Sequence, residues 1–164
     1  MTKPNPANPT LSISRPDLAS ALEQIGAEIE HQPLRSSALA RIMRETFHGS
    51  DAGGTWDWRM AYDLMQATAV QALLRGDNSE DDYYAAKLLA SRLLTETRRS
   101  EQQIRLQQFS TPLPFAALTV RAAAIRKGET VLEPSAGTGA PAAFAARAGA
   151  TLLLNEIDPF RQRL

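Results

Sequence analysis

The sequence predicts an α/β protein: a helical N-terminal region followed by the beginning of an open parallel sheet. Three observations carry this. Apolar residues recur at helical spacing from residue 16 to beyond residue 90. Two short apolar runs, Val131-Leu-Glu133 and Thr151-Leu-Leu-Leu154, follow late in the chain. Between them lie a glycine-rich turn and an alanine-rich stretch, the order strand, turn, helix, strand. The chain divides accordingly into a leader (1–14), a helical region (15–106) and an α/β region (107–164).

The leader holds Pro4, Pro6 and Pro9 and no apolar core, so it reads as a disordered segment. From Pro16 to His31, Leu18, Leu22, Ile25 and Ile29 make one helix face, and Pro16 suits a first turn. Pro33 breaks the chain and is expected to open a second helix, lined by Leu34, Ala38, Ile42 and Met43. Ser50-Asp-Ala-Gly-Gly54 is a connector. Thr55 or Asp57 caps a third helix whose stripe runs from Trp58 to Leu73, with Gly76 at its end. Ser79-Glu-Asp-Asp82 puts acids at the start of a fourth, where the backbone dipole favours them. Its apolar positions continue through Leu93 and Leu94, and the helix is expected to reach about Leu106. Ser110 or Thr111 is the expected cap of a fifth helix, from about Pro112 to Ile125.

Composition narrows the function classes. Lys+Arg is 18 and Asp+Glu is 18, so the chain has no global electrostatic footprint for nucleic acid. The absence of cysteine excludes disulfides, thiolate nucleophiles and Cys-ligated metal, and fits a cytoplasmic protein. His31 and His48 are the only histidines, and no metal site is expected. No apolar run approaches the ~20 residues of a membrane span. Trp56, Trp58, Tyr62, Tyr83 and Tyr84 admit a base-stacking platform, but their helical spacing favours core and rim. Arg98, Arg99 and Arg105 interleave with Glu96 and Glu101, the pattern of a solvated helix face.

The α/β region carries the chemistry. Val131-Leu-Glu133 reads as a buried parallel strand. Gly137 and Gly139 let the backbone turn tightly against a ligand. Ala140 to Ala148 is helical, Pro141 sits in its first turn, and Gly149 ends it. Glu156 then falls at the tip of the second strand, where ligands of open α/β sheets bind, and its carboxylate can accept both hydroxyls of a ribose. A phosphate-binding P-loop would need Gly-Lys-Ser/Thr, which is absent. A dinucleotide fits Gly137-Thr-Gly-Ala-Pro-Ala142 superficially. Glu133 argues against it, because its charge repels a pyrophosphate and suits the cationic methionine end of S-adenosylmethionine. A strand–turn–helix with no ligand is the remaining alternative.

Phe109-Ser-Thr-Pro112, Glu133-Pro-Ser-Ala-Gly-Thr-Gly139 and Asn155-Glu-Ile-Asp158 together resemble three ordered motifs of the amino-group DNA methyltransferases, the N6-adenine type. The resemblance covers about residues 107–160 and implies a Rossmann-like S-adenosylmethionine-dependent methyltransferase fold with its parallel sheet cut short. It assigns Phe109 and Thr111 to the cofactor's carboxylate side. It assigns Glu133, Ala136, Gly137 and Gly139 to the methionine end, Glu156 to the ribose and Ile157 to the adenine face. The wording, with Gln107-Gln108 before Phe109 and Gly54-Thr-Trp-Asp-Trp58 upstream, is closer still to bacterial strawberry-notch-like proteins. In those, a methylase-like N-terminal region precedes a helicase-type ATPase, which would be the partner in cis.

The sequence departs from the family at Pro141 and lacks the catalytic (Asn/Asp)-Pro-Pro-(Tyr/Phe) loop. Asp158-Pro159-Phe160 is not that loop, since it has one proline and directly follows the ribose acid. That loop holds the target amino group and stacks on the extruded base. The chain is therefore expected to be an N-terminal fragment without catalytic residues, inactive alone, with any DNA contact in a further portion. The rival expectations are a non-catalytic cofactor-binding or docking module and a gene remnant.

Overall fold

A computed structural model describes residues 14–76, 81–97 and 109–164. Helix α1 spans Arg15–His31: Ser14 caps it by accepting from the Asp17 N–H at 3.2 Å, and Pro16 occupies its first turn. Leu18, Ala21, Ile25 and Ile29 face inward. Helix α2, Ser36–Thr46, buries Leu39, Ile42 and Met43. Pro33 lies in the connection ahead of α2 and does not open it. There the Leu34 N–H donates to the Arg92 carbonyl at 2.9 Å, so the connection is fastened to a later segment of the chain.

Helix α3, Trp58–Arg75, is the spine. Asp57 caps it, its Oδ1 accepting from the Met60 N–H at 2.7 Å, and Gly76 is its C-cap. It is buried nearly all round, because it serves two cores. Met60, Tyr62, Leu64 and Met65 pack with α1, α2, Phe47 and Trp56. Ala69, Val70 and Leu73 pack with the helices that follow. Trp56 is 2% exposed and donates its ring N–H to the Gly49 carbonyl, so it is core, not a stacking platform. Trp58 joins Trp56 edge-on at 5.8 Å, while Tyr84 lies at the surface.

Helix α4, Asp82–Ala90, starts on Asp81, whose carboxylate accepts from the Tyr83 N–H. It stops at Ala90, well short of the expected Leu106. The Ser91 hydroxyl donates to the Leu88 carbonyl, and the Arg92 and Leu93 N–H groups close tight turns onto Leu89 and Ala90. Leu93 and Leu94 still pack on the core, but from a turn, with the Leu94 N–H on the Met65 sulfur. Arg98, Arg99 and Arg105, and the expected 106/107 boundary, lie outside the described residues.

Helix α5, Leu113–Ala122, begins at Pro112 with no side-chain cap. Neither Ser110 nor Thr111 caps it; Ser110 Oγ is buried without a hydrogen-bond partner. Strands β1 (Thr130–Glu133) and β2 (Thr151–Leu154) pair in parallel, Thr130 opposite Thr151 and Glu133 opposite Leu154. Helix α6, Ala140–Arg147, connects them and buries Ala142, Ala143, Phe144 and Ala145. β1 is not a buried strand: Leu132 is 66% and Leu153 55% exposed, because α6 covers one face of the sheet and no described element covers the other. Among the described residues the architecture is thus α/β, a group of helices joined to a two-stranded parallel sheet. After β2, a 3-10 turn at Arg161–Arg163 follows Phe160, which is buried in the α1–α3 core. Among the described residues no helix is long and apolar enough to cross a membrane.

Candidate cofactor site

The turn between β1 and α6 is held by its backbone. The Ala136 N–H donates to the Asn155 carbonyl and the Gly139 N–H to the Ala136 carbonyl, both at 2.8 Å. Asn155 Nδ2 donates to the Pro134 carbonyl at 2.9 Å, which locks the tip of β2 to the turn. Gly137 and Gly139 both have positive φ, +58° and +90°. A Cβ at Gly139 would meet Val70 at 3.7 Å, an ordinary contact, so backbone conformation and not space is what demands glycine.

Glu156 sits just beyond β2 and turns back on this loop. Its Oε2 accepts from the Gly137 N–H at 2.6 Å and its Oε1 from the Asp158 N–H at 2.7 Å. Each oxygen keeps a second lone pair for a further donor. Ala136, Gly137, Gly139 and Glu156 line one cavity of about 360 Å³. Val70 and Leu74 of α3, Ala142 and Ala146 of α6, and Leu152 and Leu154 of β2 supply its apolar wall. Arg161 and Gln162 add polar groups.

The other expected site residues stand apart. Glu133 accepts from the Ser135 N–H at 3.2 Å and does not line this cavity. Ile157 is 77% exposed and does not line it either. Phe109 lines a different cavity, with Gln66, Leu93, Glu96 and Ser110, and Thr111 lines neither. Four of the eight residues are therefore brought together and four are not. A further cavity of about 400 Å³ lies between α4, α5 and α6. Its charges serve each other, Arg147 with Asp82 at 2.7 Å and Arg121 with Asp81 at 3.7 Å, which makes it a structural joint. Among the described residues no group of three or more His, Cys, Asp or Glu could hold a metal ion.

Sequence reasoning missed a buried charge cluster beside the site. Arg59 and Asp63 of α3 meet Asp158 and Arg161, and all four are under 9% exposed. Arg161 grips Asp63 Oδ1 through Nε at 3.0 Å and Nη2 at 2.7 Å. Arg59 pairs with Asp158, whose other oxygen accepts from the Phe160 and Arg161 N–H groups at 2.9 and 3.1 Å. Burial pushes Asp63 above its ordinary value, against the opposing pull of Arg161 and Arg59. Burial acts the same way on Asp158, but the Arg161 N–H and the Arg59 charge outweigh it and hold the carboxyl below its ordinary value. Arg161 is raised: burial works against its charge, and the Asp63 bonds overcome that. The available signal was an i,i+4 pair of opposite charges inside an otherwise apolar stripe. Compared with known proteins, the chain matches no family model, no curated protein and no solved structure.

Proposed function

We propose that the glycine turn and Glu156 form part of an S-adenosylmethionine site, with Glu156 at the ribose and Ala136, Gly137 and Gly139 toward the methionine end, in the N-terminal part of a DNA-directed, N6-adenine-type methyltransferase. The observation that carries the reading is the Glu156 carboxylate, bonded to the Gly137 N–H at 2.6 Å on the wall of a cofactor-sized cavity. The donor set fits the nucleoside: a carboxylate for ribose hydroxyls, an apolar wall for a base, and left-handed glycines that let the backbone come close. The places of Glu133, Phe109, Thr111 and Ile157 in the site are drawn from the motif resemblance alone. Bound S-adenosylmethionine supplies an activated methyl group; these residues would position it and keep water away.

The Phe160 ring is buried in the core, so Asp158-Pro159-Phe160 presents no aromatic to an extruded base. That observation favours a second reading, a cofactor-binding module without turnover of its own. DNA contact and a helicase-type ATPase partner belong to the family reading, and a cytoplasmic location rests on the cysteine-free composition. Titration of the labelled chain with S-adenosylmethionine, followed by amide resonances, tests the site. Saturable shifts at Gly137, Gly139 and Asp158, with none from NAD at equal concentration, are expected. Shifts from NAD alone would replace this reading with a dinucleotide site.

A further inference from the structure

We infer that Arg59 and Asp63 on α3, acting with Arg161 and Asp158, are positioning residues for Glu156 and, through it, for the glycine turn. The inference rests on the cofactor reading of that turn. Glu156 lies on irregular chain beyond β2, where neither helix nor sheet fixes its side chain. Two N–H groups aim it, those of Gly137 and Asp158. The Asp158 N–H is itself aimed by the Asp158 side chain, which closes the following turn with one oxygen and meets Arg59 with the other. Arg161, at the end of that turn, makes its two-pronged bond to Asp63. Both anchors stand one turn apart on α3, the most buried helix of the fold. The bonds therefore run unbroken from α3 to Gly137.

Docking alone does not require these charges. Phe160, 3% exposed, already fastens the segment to the α1–α3 core. Buried ion pairs are often replaceable by apolar residues without loss of stability, whereas their geometry fixes register. Two guanidinium bonds from Arg161 to the Asp63 carboxylate on a rigid helix set the orientation of the turn that presents the Asp158 N–H. Arg161 also lines the same cavity, so its charge lies close to the Glu156 carboxylate. Residues of the helical region thus set the geometry of an acid that lies beyond β2.

Amide hydrogen exchange on the full chain, without ligand, tests the linkage. Asp63→Asn is expected to speed exchange at Gly137 and Asp158 about tenfold, while Ile25 and Ile29 in α1 stay as in the wild type. Arg161→Lys keeps the charge, loses the two-pronged bond and gives a smaller acceleration at the same two amides. Should Asp63→Asn fail to fold, Arg161→Lys decides alone. Unchanged exchange at both amides overturns the inference, and so does acceleration spread equally over α1. Binding of S-adenosylmethionine to the same proteins separates the two claims. About tenfold weaker binding by Asp63→Asn supports both, and equal binding by variant and wild type overturns the positioning role. No binding by the wild type removes the cofactor reading, and the exchange result still decides the linkage.

Discussion

Gly137 and Glu156 meet across the turn between β1 and α6 and the chain just beyond β2. A left-handed turn asks for glycine, and a strand tip beside it asks for an acid; their spacing put the two together, and the 2.6 Å bond joins them. Phe109 and Thr111 were assigned from a motif resemblance and its placement ahead of Glu133, and Phe109 lines another cavity. Arg59 and Asp63 were passed over because a charge in a helical stripe ordinarily points to solvent; here two further charges from beyond β2 complete them. The same logic gives a prediction. At Gly139, φ is +90° and an added Cβ meets only an ordinary contact, so the cost of Gly139→Ala is backbone strain. It is expected to lower unfolding stability by about 1–2 kcal/mol, read from the urea midpoint. A variant as stable as the wild type would show that the turn is not left-handed at this residue.

Among the elements, the starts of α3 and α4 were legible, while the expected openings of α2 at Pro33 and of α5 at Ser110 or Thr111 were not found. Ser14, Asp57 and Asp81 cap α1, α3 and α4 through their side chains, and capping residues are visible in a sequence. The end of α4 was not visible, because Leu93 and Leu94 continue the apolar period and periodicity reports burial rather than helicity. The turn after β2 makes a pH prediction. Asp158 is held below its ordinary value, so the unfolded chain takes up the proton first as pH falls. Its contribution is present above the ordinary value of ~3.9 and is lost as pH drops through the lower folded value. Asp63, raised by burial, runs the other way: its contribution is present below that ordinary value and is lost as pH rises through the folded one. Asp158→Asn is therefore expected to flatten the acid-side loss of stability below about pH 4, seen in urea midpoints across pH. An acid limb as steep as the wild type's would remove Asp158 from the account.

For the whole molecule, the α/β class followed from two short runs and a turn, but the particular contacts that tie the sheet segment to the helices did not. A two-stranded sheet is marginal by itself. Phe144 is fully buried in the core that α3, α4 and α5 share with α6, and Phe160 enters the α1–α3 core. Residues 107–164 made alone are expected to show no cooperative thermal transition by circular dichroism, whereas the full chain shows one. A cooperative transition in the isolated segment would mean that these contacts are dispensable.

The central claim is that the glycine turn and Glu156 hold a nucleoside-bearing cofactor. Titration calorimetry of the full chain with S-adenosylmethionine, beside Glu156→Ala, tests it most directly. The account predicts saturable binding by the wild type and a loss of about 1–3 kcal/mol, roughly tenfold or more in affinity, in the variant. Wild-type protein that is folded and binds nothing, or a variant that binds equally well, would contradict it.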